Sequence, residues 1–343
     1  MSSNEVRKRR EEQQVEIRRQ KREENLAKRR NLYTSETAGQ DSDDEGGGAE
    51  WEAQGANLAQ GVFSGDLAQQ IEATARIRRL LSKEDNPPIE QVIRAGLIPA
   101  FVEFLKSPDQ QLQVQTPALR CIGNIVTGDD LQTQVVIASG ALPALLPIFR
   151  SHREGLRKEA CWTVSNILAG TTKQIQSIVD AGLWPELVNC MSSAEPRTRR
   201  EACWAVSNAT SGASPDQIAY FVDQNTLGPL CAMLSMMDNR IIKITLEALD
   251  NILKNGELIK IAMGTGAANP YATIVEEVGG MVAIHNLQTH DNNEIYTISY
   301  RIMETYFVDE EDDVPISNAD EGFKMQRADA PDSGFNFGGT WGA

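Results

Sequence analysis

The sequence predicts an all-α chain built as a helical solenoid, and three observations carry that expectation. Arg157-Lys-Glu-Ala-Cys-Trp-Thr-Val-Ser-Asn166 returns almost unchanged 42 residues later as Arg199-Arg-Glu-Ala-Cys-Trp-Ala-Val-Ser-Asn208. Self-similarity at that period marks stacked helical units, each burying its apolar face only against its neighbours. Helix-ending residues also recur, at Gly96, Gly140, Gly182 and Gly280, with Asn225 in the equivalent place. Pro99, Pro143 and Pro185 follow three residues after the first three of these, and Pro229 is offset by one. Glycine or asparagine suits the left-handed residue that closes a helix, and proline is tolerated in the next first turn. Finally, strand-like alternation is scarce and aromatics make up only 6% of 343 residues, which suits packed helices.

Taken in order, residues 1–33 form a basic arm. Residues 1–31 hold 11 Lys/Arg against 6 Asp/Glu, a balance of +5, so the remainder of the −15 chain stands at −20. The arm has high helix propensity but no apolar stripe wide enough to pack, so it is expected to be disordered alone and helical when a partner neutralises it. Residues 34–65 read as an acidic, flexible linker. The solenoid spans 66–308. It starts with a capping helix over 67–82, followed by four units at about 88–127, 129–170, 172–212 and 214–256 and a fifth running to Phe307. Residues 309–343, opening with Asp309-Glu-Glu-Asp-Asp313, lack periodicity and read as a mobile acidic tail.

The third helix of each unit carries an aligned asparagine, at 124, 166, 208 and 251. Four residues before each stand Arg120, Trp162, Trp204 and Glu247. On a helix of roughly 100° per residue, Glu159 and Asn166 lie within about 60° of Trp162, while Leu156, Ala160, Val164 and Ile167 lie opposite. Trp204, Glu201 and Asn208 repeat the arrangement. Each of these two units is therefore expected to point an indole, a carboxylate and an amide away from its core, with both rings open to solvent. Parallel indoles on neighbouring helices about 8–10 Å apart would sandwich the stem of a Lys or Arg side chain. The asparagine amides would pair with the backbone of an extended peptide. Glu159, Glu201 and the pair Asp129–Asp130 are the natural partners for ligand cations, although Asp129–Asp130 reads equally well as a helix cap. The predicted ligand is a short, extended, Lys/Arg-rich peptide.

Other chemistry finds little support. His152, His285 and His290 share no metal-ligating spacing, the five cysteines form no CxxC pair, and no Ser or Cys has a paired His nearby. Neither a catalytic site nor a cofactor or metal is expected. No run of about 18 apolar residues suggests a membrane span, and the first residues lack the apolar region of a secretory signal. An odd cysteine count without spacing logic points to a reducing compartment. Nucleic acid is disfavoured as a partner by the glutamates within the arm and by the anionic body.

These residues resemble the importin alpha family of armadillo-repeat nuclear import adaptors. The resemblance is carried by the repeated Lys-Glu-Ala-Cys-Trp-Xaa-Val-Ser-Asn, by Lys28-Arg-Arg30, by Gly123-Asn-Ile-Val-Thr-Gly128, and by Asp238-Asn-Arg-Ile-Ile242 with Leu249-Asp-Asn-Ile-Leu253. It implies a right-handed superhelical armadillo-repeat solenoid shuttling between cytoplasm and nucleus. Trp162, Asn166, Trp204 and Asn208 would be cargo-binding positions, with Asn124, Asp130, Glu159 and Glu201 completing the groove. The arm, through Arg7, Lys8, Arg9, Arg10, Arg18, Arg19, Lys21, Arg22, Lys28, Arg29 and Arg30, would bind importin beta and act as an internal cargo mimic. The C-terminal repeats would meet an export receptor. Family members usually have about ten repeats and two Trp-lined grooves. Here Phe101-Val-Glu-Phe-Leu105, similar to a first repeat, runs almost directly into Val114-Gln-Thr-Pro-Ala118, similar to a sixth, so the larger groove is missing and the smaller one remains.

Overall fold

A computed structural model describes residues 47–83, 86–106, 112–264 and 266–307. The basic arm with its eleven cations and the tail 309–343 lie outside the described residues. Every regular element among those described is helical.

Two helices begin the stack, α1 (Gly47–Val62) and α2 (Leu67–Leu81). Part of the expected linker is therefore a helix, which corrects the reading of 34–65 as flexible throughout. The reason lies in packing: Trp51 and Val62 are buried in the common core, and Glu50 accepts hydrogen bonds from Arg76 at 2.7 Å and Lys83 at 2.8 Å. The glycines that suggested flexibility permit close approach instead; a Cβ on Gly55 would lie 2.7 Å from Trp51 Nε1. Helix α2 matches the expected cap, with the Asp66 carboxylate accepting from Ala68 N at 2.8 Å.

Five three-helix units follow. The first holds α3 (Ile89–Arg94), α4 (Ile98–Leu105) and α5 (Leu112–Ile125). The second holds α6 (Asp130–Ala138), α7 (Ala141–Phe149) and α8 (Glu154–Leu168), and the third α9 (Thr172–Asp180), α10 (Trp184–Ser193) and α11 (Pro196–Gly212). The fourth comprises α12 (Pro215–Asp223), α13 (Leu227–Ala232) with the 3-10 turn Met233–Ser235, and α14 (Asn239–Met263). The fifth comprises α15 (Pro270–Glu277), α16 (Gly280–Asn286) with the turn Leu287–Thr289, and α17 (Asn293–Tyr306). The left-handed turns between first and second helices fall at Gly96, Gly140, Gly182 and Asn225, with φ of 71°, 80°, 68° and 57°. In the fifth unit Gly279 takes that conformation, at 77°, while Gly280 is already helical, one residue from the expected position.

Helices α2, α5, α8, α11, α14 and α17 pack each on the next and form one continuous wall. A second repeated device joins the first helices. Asp129, Thr171 and Ser214 each cap a helix in a reciprocal capping box, with Gln132, Gln174 and Gln217 three residues on. Gln174 Nε2 also donates to Asp130 O at 2.9 Å, and Gln217 Nε2 to Thr172 O at 3.0 Å. One side chain thus both starts its own helix and holds the unit before it. All five cysteines are buried and free. Burial pushes the Cys203 and Cys231 thiols up to about 12, which suits packing rather than nucleophilic chemistry. Among the described residues no single helix is long and apolar enough to cross a membrane.

Candidate functional site

The aligned asparagines and the residues four before them lie on α5, α8, α11 and α14, the third helices that form the wall. The 42-residue period therefore places Trp162 and Trp204 at matching positions on adjacent helices. Their environments differ from expectation and from each other. Trp162 is buried, only 4% exposed, so the reading of both indoles as open to solvent is corrected for this residue. The physical reason is a seat on the adjacent unit: a Cβ on Gly123 would lie 2.7 Å from Trp162 Cε3 and closer still to Cζ3. Trp204 is half-buried and packs against the core.

Among the carboxylates, Glu159 was expected to receive a ligand cation, but it already has partners. Arg120 Nη2 lies 2.8 Å from its Oε1 and Lys158 Nζ 3.7 Å, with the Glu159 side chain 3% exposed. The guanidinium at the tryptophan position of the first unit reaches into the second and neutralises it there. Glu201, at the same position one unit on, is half-buried. Asp129 is a helix cap, accepting from Gln132 N at 2.8 Å. Asp130, in the first turn of α6, supplies its backbone carbonyl to Gln174.

The amides divide in the same way. Asn208 Nδ2 donates to Ser165 O on the preceding unit at 3.0 Å, so one of its two hydrogens is spent on inter-unit packing. Asn251 Nδ2 donates to Thr210 Oγ1 at 3.4 Å. By contrast, Asn166 Nδ2 is buried with no hydrogen-bond partner. An unsatisfied buried donor costs roughly 1–3 kcal/mol. Asn124 is also buried, 6% exposed. The structure thus brings Arg120, Asn124, Glu159, Trp162, Asn166, Trp204 and Asn208 onto one wall, but with a graded depth and with one acid already paired. Gly123 opens the segment Gly123-Asn-Ile-Val-Thr-Gly128, but the signal for its packing is that it stands one residue before Asn124, where the next units have Ser165 and Ser207.

Comparison with known proteins adds independent findings. The model described as the importin beta binding domain matches residues 1–75. It extends past the basic arm into α1 and α2. The armadillo/beta-catenin-like repeat matches 85–127, 129–169 and 171–211, and an atypical Arm repeat matches 269–321. Importin subunit alpha-1b of Oryza sativa subsp. japonica is 49% identical over 263 residues, covering 75% of this chain and 49% of the relative. Importin subunit alpha-3 of Arabidopsis thaliana is 48% identical over 261 residues, covering 76% and 47%. The chain therefore spans about half the length of these two relatives. Importin subunit alpha-2 of Arabidopsis thaliana is 49% identical over 516 residues, covering 98% of this chain and 96% of the relative. That alignment exceeds the 343-residue chain by 173 positions, about four units at the observed period. Among solved structures, a designed armadillo repeat protein in complex with peptide (KR)4 matches with TM-score 0.62 and 28% identity over 72% of this chain and 97% of that one. Computationally designed armadillo repeat proteins for modular peptide recognition match with TM-score 0.65 and 26% identity, covering 73% and 98%.

Proposed function

Because the chain belongs to the importin alpha family of armadillo-repeat proteins, we propose that it is a nuclear import adaptor. In this reading it binds Lys/Arg-rich localisation signals on the wall lined by Trp162, Asn166, Trp204 and Asn208, and joins that cargo to importin beta through its N-terminal segment. Asn124, Asp130, Glu159 and Glu201 frame the site. Glu159 acts with Arg120 as a fixed ion pair, and Glu201 and Asp130 are assigned to the rim that meets ligand cations. The observation that carries the reading is the register of Trp162 and Asn166 with Trp204 and Asn208, at matching positions on adjacent third helices. Asparagine amides at this spacing pair with the backbone of an extended peptide, and indole faces accept its cationic stems.

The family is one of non-enzymatic adaptors that shuttle between cytoplasm and nucleus. For this chain we assign the basic arm, with Arg7 to Arg10, Arg18 to Arg22 and Lys28 to Arg30 as its clusters, to importin beta. The C-terminal repeats are assigned to an export receptor. Neither membrane nor nucleic acid belongs to the proposed cycle. The test is binding of a fluorescent (KR)4 peptide: Trp162→Ala and Trp204→Ala each weaken it about tenfold or more, and unchanged affinity in both rejects the reading.

A second reading is favoured by the missing repeats: a shortened, cargo-poor form that binds importin beta and competes with longer adaptors. Import of a cargo with two basic clusters into nuclei of permeabilised cells, supplied with this chain and importin beta, rejects the competitor. Absence of import alongside retained importin beta binding supports it.

A further inference from the structure

We propose that Gly123 and Ser165, each one position before a wall asparagine, set the depth of the next unit's indole, and that Gly123 is the positioning residue for Trp162. This rests on the peptide-binding reading above for its consequence, but not for its geometry. The Cα of Gly123 carries no side chain, and the space a Cβ would need is filled. Trp162 Cε3 would stand 2.7 Å from it, and the Thr163 hydroxyl 2.9 Å. Real Cβ atoms do not make such contacts, so any side chain at 123 must lift the six-membered ring of the indole or spread α5 from α8. Thr163 cannot give way cheaply, because it is fully buried and its hydroxyl donates to Glu159 O at 2.8 Å.

The register supports a rule rather than an accident. At the same position the next units have Ser165 and Ser207, and the fourth has Asp250. Trp162, which follows the glycine, is 4% exposed; Trp204, which follows the serine at 165, is half-buried. On the neighbouring pair of helices, α8 and α11, the separation is held where Asn208 Nδ2 is hydrogen-bonded to Ser165 O at 3.0 Å. The Trp204 indole therefore cannot gain room by sliding those two units apart without breaking that bond. Glycine seats one wall of the ligand slot deep and serine leaves the other proud, so the two rungs offer unequal faces to a cationic stem. The deep rung also holds the unpartnered Asn166 amide one turn away.

The test combines Gly123→Ser with the reciprocal Ser165→Gly in the full chain. Accessibility of each indole is read as the acrylamide-quenchable fluorescence lost when that tryptophan alone is changed to Phe. Gly123→Ser should raise the quenching of Trp162, and Ser165→Gly should lower that of Trp204. The thermal destabilisation caused by Gly123→Ser should largely disappear in a Trp162→Phe background, where the six-membered edge that collides is absent. Affinity for the (KR)4 peptide should fall at least threefold in Gly123→Ser, about 0.6 kcal/mol. Unchanged quenching in both variants, or a destabilisation by Gly123→Ser that is equal in the Trp162→Phe background, overturns the rule. If the parent chain fails to bind (KR)4, the peptide-binding reading falls, while quenching and the double-variant comparison still decide the positioning role. Ser165→Gly introduces no collision, so the rule stays open to refutation even if Gly123→Ser does not fold.

Discussion

Arg120 and Glu159 form an ion pair across two units, Nη2 to Oε1 at 2.8 Å, with the carboxylate almost wholly withdrawn from solvent. Arg120 occupies the position that carries tryptophan in the next two units, so the ladder of indoles ends there in a cation that serves the protein itself. Removing it strands a buried charge. Arg120→Ala is expected to destabilise the chain by about 3 kcal/mol, at the low end for a broken buried pair because Lys158 remains 3.7 Å away. Urea midpoints at neutral pH provide the measurement. Glu159→Gln should cost less, since it removes the charge that would otherwise be left unpaired.

The Gln174 side chain accepts from Thr171 N at 3.0 Å and donates to Asp130 O at 2.9 Å, joining one unit to the next. Gln174→Ala should lose a cap and an inter-unit bond together, about 1–2 kcal/mol. Hydrogen exchange should show faster opening in α6 and α9 together. Acceleration confined to α9 would mean that the bond to Asp130 contributes nothing.

Glu50 tests whether the helix in the expected linker is a working part of the solenoid. The hydrogen bond from Lys83, helped by the nearby charges of Lys83 and Arg76, holds its carboxyl below the usual carboxylate range. A carboxyl depressed in the folded state stabilises above its unfolded pKa of about 4.3, and that stabilisation is lost as pH falls through the lower folded value. The stability difference between the chain and Glu50→Gln should therefore be constant near neutrality and shrink below about pH 4. A difference independent of pH would remove Glu50 as the latch.

Truncation before α1 measures how strongly the arm competes for the wall. With only two indole rungs to compete for, removing residues 1–46 should raise affinity for a basic peptide by less than tenfold, about 1.4 kcal/mol. The cut spares Glu50 and Trp51, whose contacts hold α1 on α2. A larger gain would show that the arm blocks the site more effectively than two slots allow.

Trp162 and Trp204 should differ in what they do for the fold. Trp162→Ala vacates a buried volume beside Gly123 and should cost about 3 kcal/mol of stability, whereas half-buried Trp204 should cost clearly less. Both substitutions should weaken peptide binding. Equal stability losses would argue that the two rings are seated alike.

By itself the sequence determined the helical class, the 42-residue unit and the register of Arg120, Trp162, Trp204 and Glu247 on third helices. All of these follow from periodicity, which dictates which side chains share a face. It also marked the turns at Gly96, Gly140, Gly182 and Asn225, because a left-handed residue is a local requirement. Only the tertiary structure decided how deep each rung lies and which charges are already spent. Those outcomes depend on pairs such as Gly123 with Trp162 and Arg120 with Glu159, which are 39 residues apart and come together only when one unit stacks on the next. The same holds for α1: its glycines read locally as flexibility, and only the surfaces of Trp51 and α2 turn them into close packing. A repeat specifies its own faces, whereas the room between two faces belongs to both neighbours at once.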